Sequence, residues 1–322
     1  MIVGNIDRDI VLALSGGVGG AKLALGLSRI VPPEKLIVVA NTGDDFEHLN
    51  LHVSPDVDTL TYTLAGLDNP ETGWGRRDET WTFMAALGAL GGETWFRLGD
   101  ADLAMHVERT RRLRLGEPLS GITRSFGSRL GVSAQVLPMT DDRVRTRVQT
   151  ADGWLDFQRY FVEFQCRPAV KGFSFDGATD ATPHPDFLAA IGHPRLRAVV
   201  ICPSNPFISI EPILALPGIR QALETCAAPI IGVAPIIGGK AVKGPTAKMM
   251  RELGLEVSAK TVALRYADLL DGYVTDNVDR AIAASLPVRA ISTNTLMLSL
   301  ADREQLARTT LAFADQLSNP DA

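Results

Sequence analysis

Four glycines and a lysine near the start of the chain have the types and the spacing of a phosphate site. The segment Ser-Gly-Gly-Val-Gly-Gly-Ala-Lys at 15–22 follows a short apolar run and precedes a helical apolar pattern. A strand, a glycine-rich turn and a helix N-terminus in this order present backbone N–H groups to a phosphate, and glycine lacks the Cβ that would keep an anion away. We therefore predict that a nucleotide or phosphate contacts Gly16, Gly17, Gly19, Gly20 and Lys22.

Two features separate this segment from the standard nucleotide motifs. Lys22 is followed by Leu23, whereas a Walker A loop has Ser or Thr at that place to hold magnesium. The glycines also lack the Gly-x-Gly-x-x-Gly spacing of dinucleotide-binding folds. The alternative is a turn in which the glycines only allow a strand and a helix to pack closely, without a ligand.

Two acidic pairs follow the next predicted strand and indicate a metal site. Asp44 and Asp45 leave that strand directly, and Asp56 and Asp58 lie in Ser-Pro-Asp-Val-Asp-Thr at 54–59, where a helix is predicted to begin. Mg²⁺ prefers oxygen ligands and is typically held by one or two carboxylates together with substrate phosphates. Aspartate is also a favoured cap and turn residue, and Asp56 fits the role of a mere cap best.

The segment Trp-Gly-Arg-Arg-Asp-Glu-Thr-Trp at 74–81 combines aromatic rings with charges. Its aromatic rings could stack on a flat heterocycle while Arg76 or Arg77 binds phosphate. The alternative is purely structural, with Arg77 or Asp78 opening a helix that buries Trp81.

A second charged segment begins at Arg97 and continues along a predicted helix. His106 follows Asp102 by four positions, so the two share a helix face, and we favour a hydrogen-bonded supporting role for His106 over proton transfer. The arginine-rich run 109–114 is interpreted as a solvated face. The sequence has no Gly-x-Ser-x-Gly elbow and no His-Glu-x-x-His motif, so it favours group transfer by positioning over covalent catalysis.

These residues must be positioned by a parallel sheet. Apolar runs that end in polar or Gly/Pro residues predict strands at 10–14, 36–40, 134–138, 198–202, 229–234, 272–275 and 288–292. Helical patterns are found between them at 21–30, 208–224, 245–253, 277–284 and 302–317. The predicted class is α/β, a doubly wound, Rossmann-like parallel sheet, in one nucleotide-binding domain over 1–318 with a frayed tail at 319–322.

Two stretches depart from the strand and helix alternation. We predict a helical insertion at about 56–130 and a small antiparallel β insertion at about 143–172. Ligands of open parallel sheets bind at the carboxyl ends of the strands, which adds Ser204 and Asn205 to the predicted nucleotide-binding residues.

Composition limits the partners and the compartment. The 322 residues include 32 Lys and Arg and 37 Asp and Glu, which gives a net charge of −5. The chain therefore lacks the excess positive charge that would favour binding to nucleic acid or to a membrane surface. Three cysteines without a C-x-x-C pair are typical of a reducing compartment, and no apolar run approaches the ~20 residues of a membrane span. We expect a cytoplasmic protein with small-molecule substrates, and a homodimer is plausible for its size.

Taken together and in order, these motifs resemble the 2-phospho-L-lactate transferase family. The resemblance covers about residues 10–290 and rests on the segments at 15–22, 41–45, 54–59, 73–81, 97–106, 203–206 and 235–240. It implies transfer of a phosphorylated three-carbon acid from a guanosine diphosphate-linked donor to the ribityl hydroxyl of the deazaflavin Fo. GMP is released, Mg²⁺ is required, and the product belongs to coenzyme F420 biosynthesis.

The resemblance also assigns roles to residues. It implies deazaflavin contacts at Asp58 and Arg97, to which we add Trp74 and Arg77 of the aromatic segment. Metal binding falls on Asp44 and Asp58, with Asp45 as a third candidate, and Asp44 and Asp58 are the predicted catalytic residues.

Three alternatives stay open at this stage. A related group of proteins binds nucleotide sugars and regulates cell-wall metabolism without transferase chemistry, but segments 74–81 and 97–106 argue against it. A nucleotide-dependent dehydrogenase is disfavoured by the glycine spacing. The donor's acid is also open between phospholactate, phosphoenolpyruvate and phosphoglycerate, which differ too little to be separated from sequence.

Overall fold

The computed structural model describes residues 8–318, so the predicted frayed tail at 319–322 lies outside the described residues. The strands are β1 (Ile10–Ser15), β2 (Leu36–Ala40), β3 (Phe46–His48), β4 (Leu51–Val53), β5 (Gln135–Pro138), β6 (Arg145–Thr150), β7 (Gly153–Asp156), β8 (Gly172–Asp176), β9 (Leu196–Ile201), β10 (Ile230–Val233), β11 (Ile236–Ile237), β12 (Lys240–Ala241), β13 (Gly272–Asp276) and β14 (Arg289–Thr293).

The helices connect these strands. They are α1 (Gly17–Ile30), α2 (Pro55–Ala65), α3 (Thr82–Ala89), α4 (Asp100–Arg114), α5 (Leu119–Arg129), α6 (Pro185–Ile191), α7 (Glu211–Leu214), α8 (Ile219–Glu224), α9 (Thr246–Glu252), α10 (Ala259–Arg265), α11 (Arg280–Ala283) and α12 (Leu300–Ser318).

Seven strands form one parallel sheet in the order β14-β13-β10-β9-β1-β2-β5. All seven were predicted from their apolar runs, and the α/β class with a doubly wound parallel sheet is confirmed. A parallel sheet buries both faces, which is why its strands are continuously apolar rather than alternating.

Helices cover both faces of the sheet. Along β1, Val11 and Ala13 pack towards α1, α2 and α12, whereas Leu12 and Leu14 pack towards the other face, where α6, α8, α9 and α10 lie. Gly26 allows the close approach of α1 to α12, because a Cβ there would lie 2.1 Å from the carbonyl oxygen of Arg303. The central strand β1 is thereby fully enclosed, and its carboxyl end is held in a fixed position.

Both predicted insertions are present. The connection from β2 to its neighbour β5 contains the β3–β4 hairpin and helices α2 to α5, and an antiparallel sheet of order β7-β6-β8 follows β5. The latter extends to Asp176, beyond the predicted 172, and its second strand ends at Asp156, after which Arg159–Glu163 form a π-helical turn.

The single helix predicted over 208–224 is wrong. A π-helical turn at Pro206–Ile210 leads into α7, and α8 begins only after Pro217 and Gly218. Gly218 has a φ of +78°, a left-handed conformation that interrupts a helix. Helices α6 and α10 and the β3–β4 hairpin were not predicted.

Candidate functional site

A cavity of about 630 Å³ opens at the carboxyl ends of the parallel strands, where open α/β sheets bind their ligands. The turns after β1, β2, β9 and β10 line it, together with α2, the start of α4 and the loop before α12. Of the predicted site residues, it brings together Gly16, Gly17, Gly19, Lys22, Asp44, Asp58, Trp74, Arg97, Ser204 and Asn205. Gly20, Asp45 and Arg77 are not part of its lining.

The glycine-rich turn is shorter than predicted, because α1 already begins at Gly17. Gly17 has a φ of +64°, and its N–H donates to Oδ1 of Asp56 at 2.7 Å, while the N–H of Gly16 donates to Oγ of Ser204 at 3.2 Å. Two of the predicted phosphate donors thus have protein acceptors. The N–H groups of Val18 and Gly19 lie in the first turn of α1, where the helix itself supplies no acceptor.

Close packing explains two of the glycines without a ligand. A Cβ on Gly19 would lie 2.2 Å from the carbonyl oxygen of Pro203, and one on Gly20 would lie 2.5 Å from Oγ of Ser15. The packing alternative therefore holds for these two positions, and phosphate binding by their backbone stays a prediction.

Asp56 has a larger role in the site than the sequence indicated. Its carboxylate is buried, accepts from Gly17 and from Nδ2 of Asn41 at 2.9 Å, and so ties the start of α2 to the ends of β1 and β2. Burial raises its pKa to about 6, against the hydrogen bonds from Asn41 and Gly17. Interpreting Asp56 as a mere cap was wrong, because its partners are on α1 and on the strand end rather than on its own helix.

Asp44 faces the cavity beside Asp56. Its Oδ1 is buried without a hydrogen-bond partner, and burial, followed by the charges of Asp56 and Asp45, raises its pKa well above the usual range. Oδ2 of Asp45 instead accepts from Oγ of Ser54 at 2.9 Å and lies 3.0 Å from Nε2 of His52. Two buried carboxylates that repel each other at a cavity wall suit a divalent cation, which would relieve the repulsion.

No three acidic, histidine or cysteine side chains within residues 8–318 are grouped closely enough to hold a metal ion by themselves. A cation at Asp44 and Asp56 would therefore need waters or substrate oxygens to complete its coordination, which is the usual situation for Mg²⁺ beside a phosphate. Asp45 and Asp58 as further ligands stay predictions.

Asp58 is held by an ion pair that the sequence did not predict. Arg109 donates to both of its oxygens, from Nη1 to Oδ2 at 3.0 Å and from Nη2 to Oδ1, and the Arg109 side chain is 2% exposed. Burial raises the pKa of Asp58, and the guanidinium charge opposes that rise. The prediction of a solvated face over 109–114 is thus wrong at Arg109, although Arg111 and Arg114 are exposed.

His106 completes this buried cluster. Its Nδ1 lies 3.2 Å from Nη1 of Arg109, and its Nε2 lies 3.3 Å from Oδ2 of Asp102. Since Arg109 can only donate, Nδ1 acts as the acceptor and the ring proton resides on Nε2, facing Asp102. Tyr62 donates its hydroxyl to Oδ1 of Asp102 at 2.6 Å, so His106 has the supporting position that its spacing indicated.

The aromatic segment 74–81 is divided between the cavity and the surface. Trp74 lines the cavity and is 49% exposed. Arg77 instead lies on the surface, where its side chain donates to the carbonyl oxygen of Gly66. Arg97 lines the cavity and lies over the ring of Trp81, with its Cζ 4.0 Å from the ring centre. The structural alternative, a helix opened by Arg77 or Asp78, is wrong because α3 begins after Trp81. Stacking on a ligand stays a prediction, with Trp74 in the cavity lining and Arg77 outside it.

Helices α3 and α4 cap each other. Asp100, the first residue of α4, accepts from the N–H groups of Thr82 and Phe83 at the start of α3. Glu79, just before α3, accepts from the N–H groups of Ala101 and Asp102 at 2.9 Å each. The loop between the two helices carries Trp95, Phe96 and Arg97 to the cavity.

An aromatic wall on this loop and on the β insertion was also missed. Trp95 and Phe96 line the cavity with Phe157 and Phe161, whose rings are stacked at 5.4 Å. Phe96 packs edge-on against Phe46 at 4.7 Å. Because these rings come from three segments distant in sequence, no local pattern indicated that they share one surface.

The chain is similar to known proteins over nearly its whole length. The family described as 2-phospho-L-lactate transferase CofD matches residues 11–309. A protein of Kitasatospora aureofaciens named phosphoenolpyruvate transferase is 40% identical over 317 residues, covering 95% of this chain and 98% of its own. A protein of Methanocaldococcus jannaschii named 2-phospho-L-lactate transferase is 39% identical over 312 residues, covering 96% and 99%.

Solved structures show the same fold. The crystal structure of a UPF0052 family protein from Bacillus halodurans superposes with a TM-score of 0.61 over 95% of this chain and all of that one, at 16% identity. Among the described residues, no helix has the length and apolar character needed to cross a membrane. From the match over residues 11–309 and from relatives near 40% identity, the chain belongs to the 2-phospho-L-lactate transferase family and is an enzyme of that transferase type.

Proposed function

We propose that this enzyme transfers a phosphorylated three-carbon acid from a guanosine diphosphate-linked donor to the ribityl hydroxyl of the deazaflavin Fo, with release of GMP. The observation that carries the proposal is one cavity with three kinds of wall: the first turn of α1, the acidic pair Asp44 and Asp56, and the aromatic rings of Trp95 and Phe157. The N–H groups of the helix start suit a diphosphate, the two carboxylates suit a cation, and the aromatic rings suit a flat tricyclic acceptor.

The names of the relatives suggest the donor's acid. The Kitasatospora aureofaciens and Mycolicibacterium smegmatis relatives, 40% and 37% identical, are named phosphoenolpyruvate transferase, and the Methanocaldococcus jannaschii relative, at 39%, is named for phospholactate. We therefore propose phosphoenolpyruvate as the acid and phospholactate as the second candidate.

Mg²⁺ is the proposed cofactor. Asp44 and Asp56 would hold it, since both are buried at the cavity wall and Oδ1 of Asp44 has no other partner. When bound, the cation would neutralise phosphate charge and orient the phosphate oxygens for displacement.

The residues of the chain position the reacting groups. In the proposed reaction the ribityl oxygen forms a bond to the β-phosphorus, its proton passes to the carboxylate of Asp58, and the bond from that phosphorus to the GMP oxygen breaks. The first-turn N–H groups of α1 and the ammonium of Lys22 stabilise the phosphate charge, and Asp58, fixed by Arg109, orients the attacking hydroxyl. The apolar rings exclude water from this end of the cavity, which favours transfer over hydrolysis.

Mass spectrometry of the products tests the proposal. The enzyme is incubated with Fo, Mg²⁺ and each of three guanosine diphosphate-linked donors, carrying phosphoenolpyruvate, phospholactate or phosphoglycerate. We expect GMP and a phosphodiester of Fo, formed fastest with the phosphoenolpyruvate donor.

Two variants serve as the matched pair for this assay. Asp44→Asn should abolish product formation, whereas Asp152→Asn, an exposed aspartate in the turn between β6 and β7, should not change it. Fo that neither binds nor reacts would contradict the proposed acceptor and would agree with the regulatory, nucleotide-sugar-binding alternative, whereas Fo that binds without forming product would contradict the three proposed donors only. A cytoplasmic location and a homodimer stay predictions of the sequence.

A further inference from the structure

Three cationic side chains lie close together, and the two lysines among them line the cavity. They are Lys22 of α1, Lys243 of the segment 238–245, and Arg303 of α12. Within residues 8–318, none of these three takes part in an ion pair with a carboxylate. Nε of Arg303 is moreover buried without a hydrogen-bond partner. The charge of Asp68 acts on Lys22 in the opposite sense, but it forms no ion pair with it, and a group of like charges beside a cavity is the arrangement expected where an anion binds.

The two lysines hold their ammonium groups at the cavity through single backbone contacts. Nζ of Lys22 donates to the carbonyl of Met297 at 3.1 Å, and Nζ of Lys243 donates to the carbonyl of Thr72 at 3.1 Å. Each ammonium has three donors, so most of them are free for a ligand. Burial, and then the charges of Arg303 and Lys243, lower the pKa of Lys22, which agrees with the three groups lying close together.

Lys243 lies directly over the start of α1. A Cβ on Gly73 would be 2.4 Å from Nζ of Lys243 and 3.3 Å from Cγ1 of Val18, so the ammonium, the loop 69–75 and the first turn of α1 are neighbours. The segment 238–245 thus crosses from β11 to α9 over the cavity, and Lys243 connects it to the loop that carries Trp74.

We propose that Lys243 is a diphosphate-binding residue, which acts together with Lys22 on the phosphates of the nucleotide donor. The identity of the donor rests on the proposed function. The new contact comes from the segment 238–245, whereas the phosphate contacts of the proposed function come from α1. Lys22 approaches from the helix below, Lys243 from the segment above, and the diphosphate lies between them. Occupation of the site releases Lys243 from Thr72 or shares its donors between the carbonyl and the phosphate.

A purely structural role would have a different signature. If Lys243 only tied segment 238–245 to the loop 69–75, its removal would loosen both segments and would affect every ligand of the cavity alike. A phosphate-binding role affects ligands according to their phosphates. The exposed position of Lys243 leaves the core untouched by its substitution.

Isothermal titration calorimetry with GDP, GMP and Fo separates the two roles. Lys243→Ala is compared with Lys240→Ala, since Lys240 is exposed on the same hairpin and outside the cavity lining. We expect Lys243→Ala to weaken GDP binding about ten- to hundredfold, the loss typical of one charge-assisted hydrogen bond, and to leave Fo binding unchanged. The GDP affinity of the wild type should also fall more steeply with salt than that of Lys243→Ala.

Three results would overturn the inference. Equal GDP affinities for Lys243→Ala and Lys240→Ala would remove Lys243 from the site and leave the proposed function in place, and so would a parallel loss of GDP and Fo binding. Absence of GDP binding by the wild type itself would instead contradict the proposed function, and the inference with it.

Discussion

Replacement of Arg109 by methionine is the sharpest test of the buried charge cluster. Methionine retains much of the length of the side chain but removes the guanidinium group. That group carries the positive charge and donates hydrogen bonds to both carboxylate oxygens of Asp58. Asp58 would then be a buried carboxylate without a counter-charge. Breaking a buried ion pair on one side costs about 3–5 kcal/mol.

This cost converts into a shift of the melting temperature. Unfolding entropy near 60 °C is about 2.1 cal/mol/K per residue, so the 322 residues correspond to about 0.7 kcal/mol/K. Arg109→Met should therefore lower Tm by about 4–7 °C at pH 7.

Differential scanning calorimetry of four proteins decides the matter. Arg111→Met is the control on the same helix, because Arg111 is exposed and its ion pair with Glu108 is on the surface, and its Tm should equal that of the wild type. The double variant Asp58→Asn/Arg109→Met should melt above Arg109→Met, since no buried charge remains unpaired. A Tm for Arg109→Met equal to that of Arg111→Met would refute the assignment of a stabilising ion pair.

Three further predictions concern the cavity. Because burial raises the pKa of Asp56 to about 6, its contribution to the stability of the metal-free protein is fully present below the unfolded pKa of about 3.9 and is lost as the pH rises through 6. Urea titrations in EDTA should show that the free energy of unfolding of the wild type, measured relative to that of Asp56→Asn, falls by about 2–3 kcal/mol over this range, because the other shifted groups are common to both proteins. Arg97→Ala should raise the KM for Fo by about tenfold or more with a smaller change for the nucleotide donor, because a charged contact at the cavity is lost; steady-state kinetics with each substrate varied will show whether the donor is affected instead. Gly19→Ala should lower Tm, because its Cβ would lie 2.2 Å from the carbonyl oxygen of Pro203, whereas Gly131→Ala, with no atom within 4 Å of its Cβ, should lower it only by the strain of a positive φ; equal melting curves would contradict the packing argument.

The sheet could be predicted from the sequence because its information is local. The seven strands coincide with short runs rich in apolar residues, and burial on both faces makes the interior runs nearly continuous, whereas the edge strand β14 has no fully buried residue. The helix predicted over 208–224 failed because apolar periodicity continues across Pro217 and Gly218, although those two residues interrupt the backbone. Proline and glycine should have outweighed the periodicity there.

The site was predicted only as far as its motifs are local. Asp44 reaches the cavity from the end of β2, Asp58 from the first turn of α2, and Arg97 from the loop just before α4. Arg109 was misinterpreted because its partner lies 51 residues away on α2, which no pattern along the chain records. One signal was available, since Asp102, His106 and Arg109 follow an i, i+4, i+7 spacing and so share one face of α4.

The mutual capping of α3 and α4 has a consequence for how the acceptor is bound. Since Glu79 and Asp100 each hold the first turn of the other helix, the segment 79–102, which contains α3 and the loop that carries Trp95 to Arg97, is closed at its base before any ligand arrives. The loss of freedom of that loop is therefore incurred when the protein folds and not when the acceptor binds, which leaves more of the stacking energy for affinity. The two reciprocal caps pre-order this part of the aromatic wall, and the backbone amides of the segment 79–102 should exchange with solvent as one unit rather than residue by residue.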